Sequence, residues 1–170
     1  MLFKKKEQRG VMLTDHENLW LSIPFGSPTD ISAVNGFDNL ITKISTEVGQ
    51  LINVYVFLPP HAAHVWAGTY HKLGFYPIVC PRVPNKDMRG EERDTVDETL
   101  MRYAADVIEN TRDLTFLVLV SGDKDFSPLV RRAKRKGLKV IIVAASIKSL
   151  SNELIHLASK VLMFEPDKTG

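Results

Sequence analysis

The chain has 170 residues, 44% hydrophobic and 25% charged, with a formal charge of +2 and one cysteine. Such a length and composition suit one folded core rather than a disordered tail. Cys80 alone excludes an internal disulfide and a cysteine-rich zinc site and suits a reducing compartment, while no apolar run approaches the roughly 18 residues of a membrane span.

Lys4-Lys5-Lys6 opens a basic arm over residues 1–10. The apolar Val11 to Leu13 that follows is too short for a signal-peptide core, so the expected location is cytoplasmic. Val11 to Thr14 reads as a first strand ending at Asp15, and Ser22 to Asn35, with Pro24, Gly26 and Pro28, as a loop. A helix follows over Gly36 to Val48, then a β-branched and aromatic strand over Leu51 to Leu58. Ala62 to Lys72 predicts a helix, Phe75 to Cys80 a strand with Cys80 as a small buried hydrophobe, and Pro81 to Asp94 a second loop.

The next helix, Val96 to Glu109, recurs on one face through Val96, Leu100, Tyr103, Ala104, Val107 and Ile108, with Thr95 and Glu98 spaced as a capping box. Thr115 to Val120 is a fourth strand. Ser127 as cap and Pro128 at the first helical position open a helix to Lys136, which Gly137 ends. Lys139 to Val143 is a fifth strand, Ser149 to Leu157 a short helix, and Val161 to Phe164 an edge strand. Strands alternating with helices predict an α/β fold with a mainly parallel sheet covered on both faces, as one domain over residues 11–164 with a tail at 165–170.

Asp15, Asp97, Asp123 and Asp125 all fall where a strand meets a helix or loop. A parallel sheet can gather such positions at its carboxyl edge, where like charges repel unless a cation binds them. Carboxylate oxygens are hard ligands, which points to Mg²⁺ or Mn²⁺ with coordination positions left for water and phosphate. Taken singly, each acid is better read as a helix-start residue that satisfies amides and the dipole, and only the four together point to a metal. Asn18, three residues after Asp15, suits either a turn or the orientation of water or phosphate. Arg131, Arg132, Lys134, Arg135 and Lys136 form a run without an acid, which fits both a solvated helix face and a phosphate backbone. His61, His64 and His71 lack a zinc signature and read as surface residues. Trp66, Tyr70, Phe75 and Tyr76 read as core, with Trp66 and Tyr70 the better placed of the four to stack on a base.

Thr14-Asp15-His16-Glu17-Asn18-Leu19 resembles the opening Asp-x-x-Asn motif of NYN domains, PIN-like ribonuclease relatives that include the LabA-like proteins. Leu119-Val120-Ser121-Gly122-Asp123-Lys124-Asp125-Phe126 resembles their Ser-Gly-Asp-x-Asp-Phe motif, and Val96-Asp97 with Leu100 their intervening Val-Asp-x-x-Leu. The resemblance continues through Pro128-Leu129-Val130 and Gly137 to Ile141, spanning about Val11 to Phe164. It implies a three-layer α/β/α PIN-like fold with Asp15, Asn18, Asp97, Asp123 and Asp125 around a divalent metal. It further implies RNA phosphodiesters as substrate and products with 5′-phosphate and 3′-hydroxyl ends. This chain departs from the pattern at Tyr103, where many members carry an acid, and at Asp94 and Thr95, where they carry a base. Asp106 is no replacement, because nine helical residues from Asp97 turn it about 180° away.

The expectation from these readings is a metal-dependent ribonuclease, with Asp15, Asp97, Asp123 and Asp125 as ligands, Asn18 orienting water or phosphate, and Arg131, Arg132, Arg135 and Lys136 contacting RNA. The alternatives are a non-catalytic RNA-binding or regulatory module and a small-molecule phosphoesterase. RNA is the expected partner, with no membrane, and a homo-oligomer is compatible with the sequence.

Overall fold

The computed structural model describes residues 7–23 and 29–167. The three lysines of the basic arm, residues 24–28 of the first loop and residues 168–170 of the tail lie outside the described residues. In chain order the elements are β1 (Arg9–Asp15), α1 (His16–Leu21), α2 (Asp30–Glu47), β2 (Gln50–Leu58), α3 (Pro60–Lys72) and β3 (Tyr76–Val79). There follow β4 (Val83–Pro84), β5 (Glu92–Arg93), α4 (Val96–Asn110), β6 (Phe116–Val120), α5 (Ser127–Arg135), β7 (Lys139–Ala144), α6 (Asn152–Leu157) and β8 (Lys160–Met163).

Six strands form one parallel sheet in the order β3-β2-β1-β6-β7-β8. From β1 the chain builds outward to β3, returns across the sheet, and builds outward again from β6 to β8. With one hand for every crossover, the helices of the two halves lie on opposite faces. Leu19, Phe37, Leu40, Ile44, Ala62 and Tyr70 cover one face with α1 to α3. Val96, Leu100, Ala104, Leu129, Val130, Ala133 and Leu154 cover the other with α4 to α6. This is the three-layer α/β/α arrangement, and β6, apolar at all five positions, is buried along its whole length because both its faces are covered.

Local chemistry explains where the elements differ from the sequence expectations. The loop expected over Ser22 to Asn35 is shorter, because α2 already starts at Asp30, where the Thr29 hydroxyl accepts the Ser32 amide at 3.2 Å. The Pro81 to Asp94 loop contains a small antiparallel ladder, β4 with β5. Thr95 does not form a capping box: its hydroxyl donates to the Pro81 carbonyl at 2.6 Å, and Asp94 accepts the Val96 amide at 2.6 Å instead. Ser127 is the first residue of α5 rather than its cap, since a 3-10 turn over Lys124–Phe126 runs directly into the helix. The last helix starts at Asn152, capped by Ser151. Gly137, with φ of +80°, ends α5 as its lack of a side chain allows.

Candidate metal centre

The strand order reverses between β1 and β6, and at such a point the two chains leave the carboxyl edge in opposite directions and open a crevice. Thr14 pairs with Val120, so Asp15 and Ser121 emerge side by side. Asp15 caps α1 by accepting the Asn18 amide at 3.2 Å, and its other oxygen takes a long 3.4 Å hydrogen bond from the Ser121 hydroxyl. Only 5% of Asp15 is exposed. Burial pushes its carboxyl up to about 7, helped by the charges of Asp97, Asp123 and Glu17 and opposed by the Asn18 amide.

Asp123 begins the turn after β6, and its Oδ1 accepts the Asp125 amide at 2.9 Å, which sets the two acids on one short loop. Asp97 lies in the first turn of α4, whose N-terminus the crossover from β3 delivers to the same edge. One carboxylate oxygen each from Asp97, Asp123 and Asp125 lies within 4.8 Å of the others. Opposite ligands of an octahedral Mg²⁺ sit about 4.2 Å apart, given bonds of about 2.1 Å, so small side-chain adjustments suffice to bring all three onto one ion. Burial, followed by the charges of Asp123, Asp94 and Asp125, raises the Asp97 carboxyl above its ordinary value. Among the described residues no lysine, arginine or histidine forms a salt bridge with any of the three. An all-oxygen, uncompensated donor set is what a hard divalent cation fits.

Asp15, grouped with these acids by the sequence reading, is not part of the compact trio and sits buried close to it. The Asn18 carboxamide oxygen accepts the Gly122 amide at 2.9 Å, leaving the two Nδ2 hydrogens for another partner. Tyr103 packs edge-on against Phe57 and Tyr55 with centroid separations of 5.4 and 5.9 Å, and Asp106 holds Asn110 at 2.6 Å, so neither extends the acid cluster.

Sequence reasoning missed two contributors. Ser121 contacts Asp15 and also accepts the Asp123 amide at 3.3 Å. The loop after β7 forms a wall of the site: a Cβ at Gly122 would stand 2.1 Å from the Ser149 carbonyl oxygen, and Ser151 donates its amide to the Gly122 carbonyl at 3.0 Å. The signal for the first was its place in the motif; the second left no local signal.

The basic run on α5 is largely engaged. Arg131 pairs with Glu153 at 2.5 Å, Arg132 and Lys136 share Glu109 at 3.1 and 2.6 Å, and Lys134 donates to the Leu157 carbonyl at 2.8 Å. Of the four expected RNA contacts, only Arg135 has no such partner among the described residues. His61 is a surface residue paired with Glu17 at 3.1 Å. Tyr70, read as core with stacking on a base as the alternative, is 1% exposed; its hydroxyl receives the Trp20 indole N–H at 3.1 Å and meets His16 Nδ1 at 3.0 Å. Burial lowers His16 to about 3, so it is neutral and can accept the Tyr70 proton. Trp66 stacks on Trp20 at 5.1 Å, and the exposed ring of the four is Tyr76, at 56%.

No helix among the described residues is long and apolar enough to cross a membrane. No curated protein matches the chain. Among solved structures, it is similar to a Vibrio parahaemolyticus protein of unknown function at 17% identity, covering 96% of this chain and 97% of that one with a TM-score of 0.74, a likeness of fold. Sa239 is 11% identical over 92% of this chain and 60% of that one, with a TM-score of 0.46. Staphylococcus aureus homoserine dehydrogenase is 9% identical over 92% and 33% of the two chains, with a TM-score of 0.36; both are too distant to bear on function. The family model for the NYN domain matches residues 25–165, which takes in Asp97, Asp123 and Asp125 and begins after the Asp15 to Asn18 segment. With that match over most of its length and this acidic crevice at the sheet's reversal point, the chain belongs to the NYN domain family.

Proposed function

We propose that the protein is a metal-dependent ribonuclease hydrolysing RNA phosphodiesters. The observation that carries this reading is the trio Asp97, Asp123 and Asp125, gathered at the carboxyl edge without a counter-cation among the described residues. These three would hold Mg²⁺ or Mn²⁺, which when bound supplies Lewis acidity toward a phosphoryl oxygen and a water of lowered pKa. Asp15 caps α1 and accepts from Ser121, which ties the β6 loop carrying Asp123 and Asp125 to the end of β1. Asn18 pins Gly122 and turns its Nδ2 donors to a water or a phosphate oxygen. The buried floor of Asp15, Ser121 and Gly122 keeps these groups in place as the substrate arrives, so orientation requires little reorganisation.

Metal-stripped protein incubated with single-stranded and structured RNAs should cleave them on addition of Mn²⁺ or Mg²⁺, leaving 5′-phosphate and 3′-hydroxyl ends. Inactivity across that panel, with folding verified, removes the assignment. One observation favours a second reading, an RNA-binding module without turnover: Tyr103 packs on Tyr55 and Phe57 where many relatives carry a further acid. That reading predicts metal-insensitive, salt-weakened RNA binding with intact RNA recovered.

A further inference from the structure

Beside the acidic trio lies a shallow pocket of about 370 Å³ lined by Asn18, Gly122, Asp123, Lys124 and Lys148, with Ser149, Leu150 and Ser151 completing its wall. Its volume falls within the roughly 300–1,000 Å³ range of small-ligand sites and admits a nucleotide unit. Two features give it a sign. The side chains of Lys124 and Lys148 form no ion pair or hydrogen bond among the described residues, whereas Arg131, Arg132 and Lys136 on α5 are all paired. Asp123 is the sole acid on its lining. The Asn18 carboxamide also lines the pocket, and with its oxygen committed to the Gly122 amide it offers only donors. Two unpaired ammonium groups and an amide donor make an anion site.

We infer that this pocket binds a backbone phosphate of single-stranded RNA adjacent to the phosphate presented to Asp97, Asp123 and Asp125. Asp123 lines both places, so the two phosphates belong to neighbouring nucleotides of one strand. The pocket thereby supplies the cationic contact that the sequence assigned to α5, whose charges are largely neutralised within the protein. The loop after β7 brings Lys148 to the centre because Gly122 and Ser149 approach too closely for any side chain at 122. The identity of the strand rests on the ribonuclease reading; the anion site itself does not.

The test measures fluorescence anisotropy of a labelled single-stranded oligoribonucleotide in EDTA at several salt concentrations. It compares the full chain with Lys124→Gln, Lys148→Gln, the double variant and Arg131→Gln. Each lysine substitution should weaken binding by on the order of tenfold and reduce the salt slope by about 0.7, and Arg131→Gln should leave the slope as it was. In Mn²⁺ the same lysine variants should raise KM with kcat within about twofold of the parent, because the lost contact is present in ground and transition states alike. Wild-type affinity and slope in the double variant overturn the pocket, whether or not RNA is cleaved, as does failure of the parent chain to bind the oligoribonucleotide. Lysine-dependent binding of RNA that is never cleaved keeps the pocket and removes the ribonuclease reading. Lys148→Arg should restore binding, which a loop merely disturbed by the substitution would not show.

Discussion

The acidic centre and the basic helix α5 are both dense runs of like charge, yet the fold treats them in opposite ways. Glu109 and Glu153, on α4 and α6, meet the cations of α5, whereas no cation meets Asp97, Asp123 and Asp125 among the described residues. Exposed ion pairs such as those on α5 are worth about 0–1 kcal/mol. Burial, and then the neighbouring carboxylates, raise the carboxyls of Asp15 and Asp97 above their ordinary value. The difference teaches that charge density in a sequence is a poor guide to a binding site: what marks one is charge that the fold leaves unsatisfied.

The strongest way to break this comparison is Asp123→Asn, which keeps the side chain's shape and its Asp125 amide acceptor but removes one negative charge from the trio. Mn²⁺ affinity and RNA cleavage should both fall by at least about tenfold, or roughly 1.4 kcal/mol of transition-state stabilisation. Calorimetric metal titration and cleavage of one RNA decide it, and parental values in both would overturn the centre.

Gly122→Ala probes the scaffold rather than the charge. The new Cβ would stand 2.1 Å from the Ser149 carbonyl oxygen, backbone that cannot swing aside. A loss of about 1–3 kcal/mol in urea unfolding is expected, together with weaker RNA binding as the Lys148 loop is displaced. Unchanged stability would show that the close approach is not needed.

The pH dependence of stability sharpens the same comparison. The Asp15 carboxyl binds its proton more tightly folded, at about 7, than at its ordinary value of 3.8. Its contribution is therefore fully present below about pH 4 and is lost as pH rises through about 7. In EDTA, Asp15→Asn should flatten the part of the melting-temperature profile between pH 5 and pH 8 that falls with rising pH. Added Mn²⁺ should stabilise the parent more at pH 8 than at pH 5, since metal and proton compete for the same acidic cluster. Indistinguishable pH profiles for the parent and Asp15→Asn would contradict the buried placement.

The smallest effect is expected on α5. Glu109→Gln frees Arg132 and Lys136 and should raise RNA affinity at low salt by less than about threefold, an increase that disappears near physiological ionic strength. Filter binding at two salt concentrations reads this, and a tenfold gain would show that α5 was held back from RNA by Glu109 alone.

Much of the fold was legible because its signals are local. The runs at Leu51 to Leu58 and Thr115 to Val120 are apolar and β-branched enough to specify strands, and Val96 to Ile108 repeats with helical period. Thr95 and Ser127 were misread for a common reason: each has a partner or a neighbouring turn that its own segment does not reveal. Thr95 reaches Pro81 and Ser127 follows a 3-10 turn continuous with α5, while Tyr70, read as core, is held there by Trp20 and His16 fifty or more residues away.

By itself the sequence determined the alternation of strands and helices, the Ser-Gly-Asp-Lys-Asp-Phe turn after a buried strand, and hence the parallel-sheet class with acids at its carboxyl edge. Only the tertiary structure decided which acids converge. Asp97 joins Asp123 and Asp125 because the α4 crossover delivers its N-terminus to the reversal point, and Asp15 becomes buried because β1 is a central strand. It likewise decided that Arg131, Arg132 and Lys136 of α5 pair with Glu109 and Glu153 while the side chains of Lys124 and Lys148 have no partner among the described residues. The physical reason is shared: periodicity and capping act within a few residues, whereas charge compensation and burial depend on which distant elements the sheet order makes neighbours.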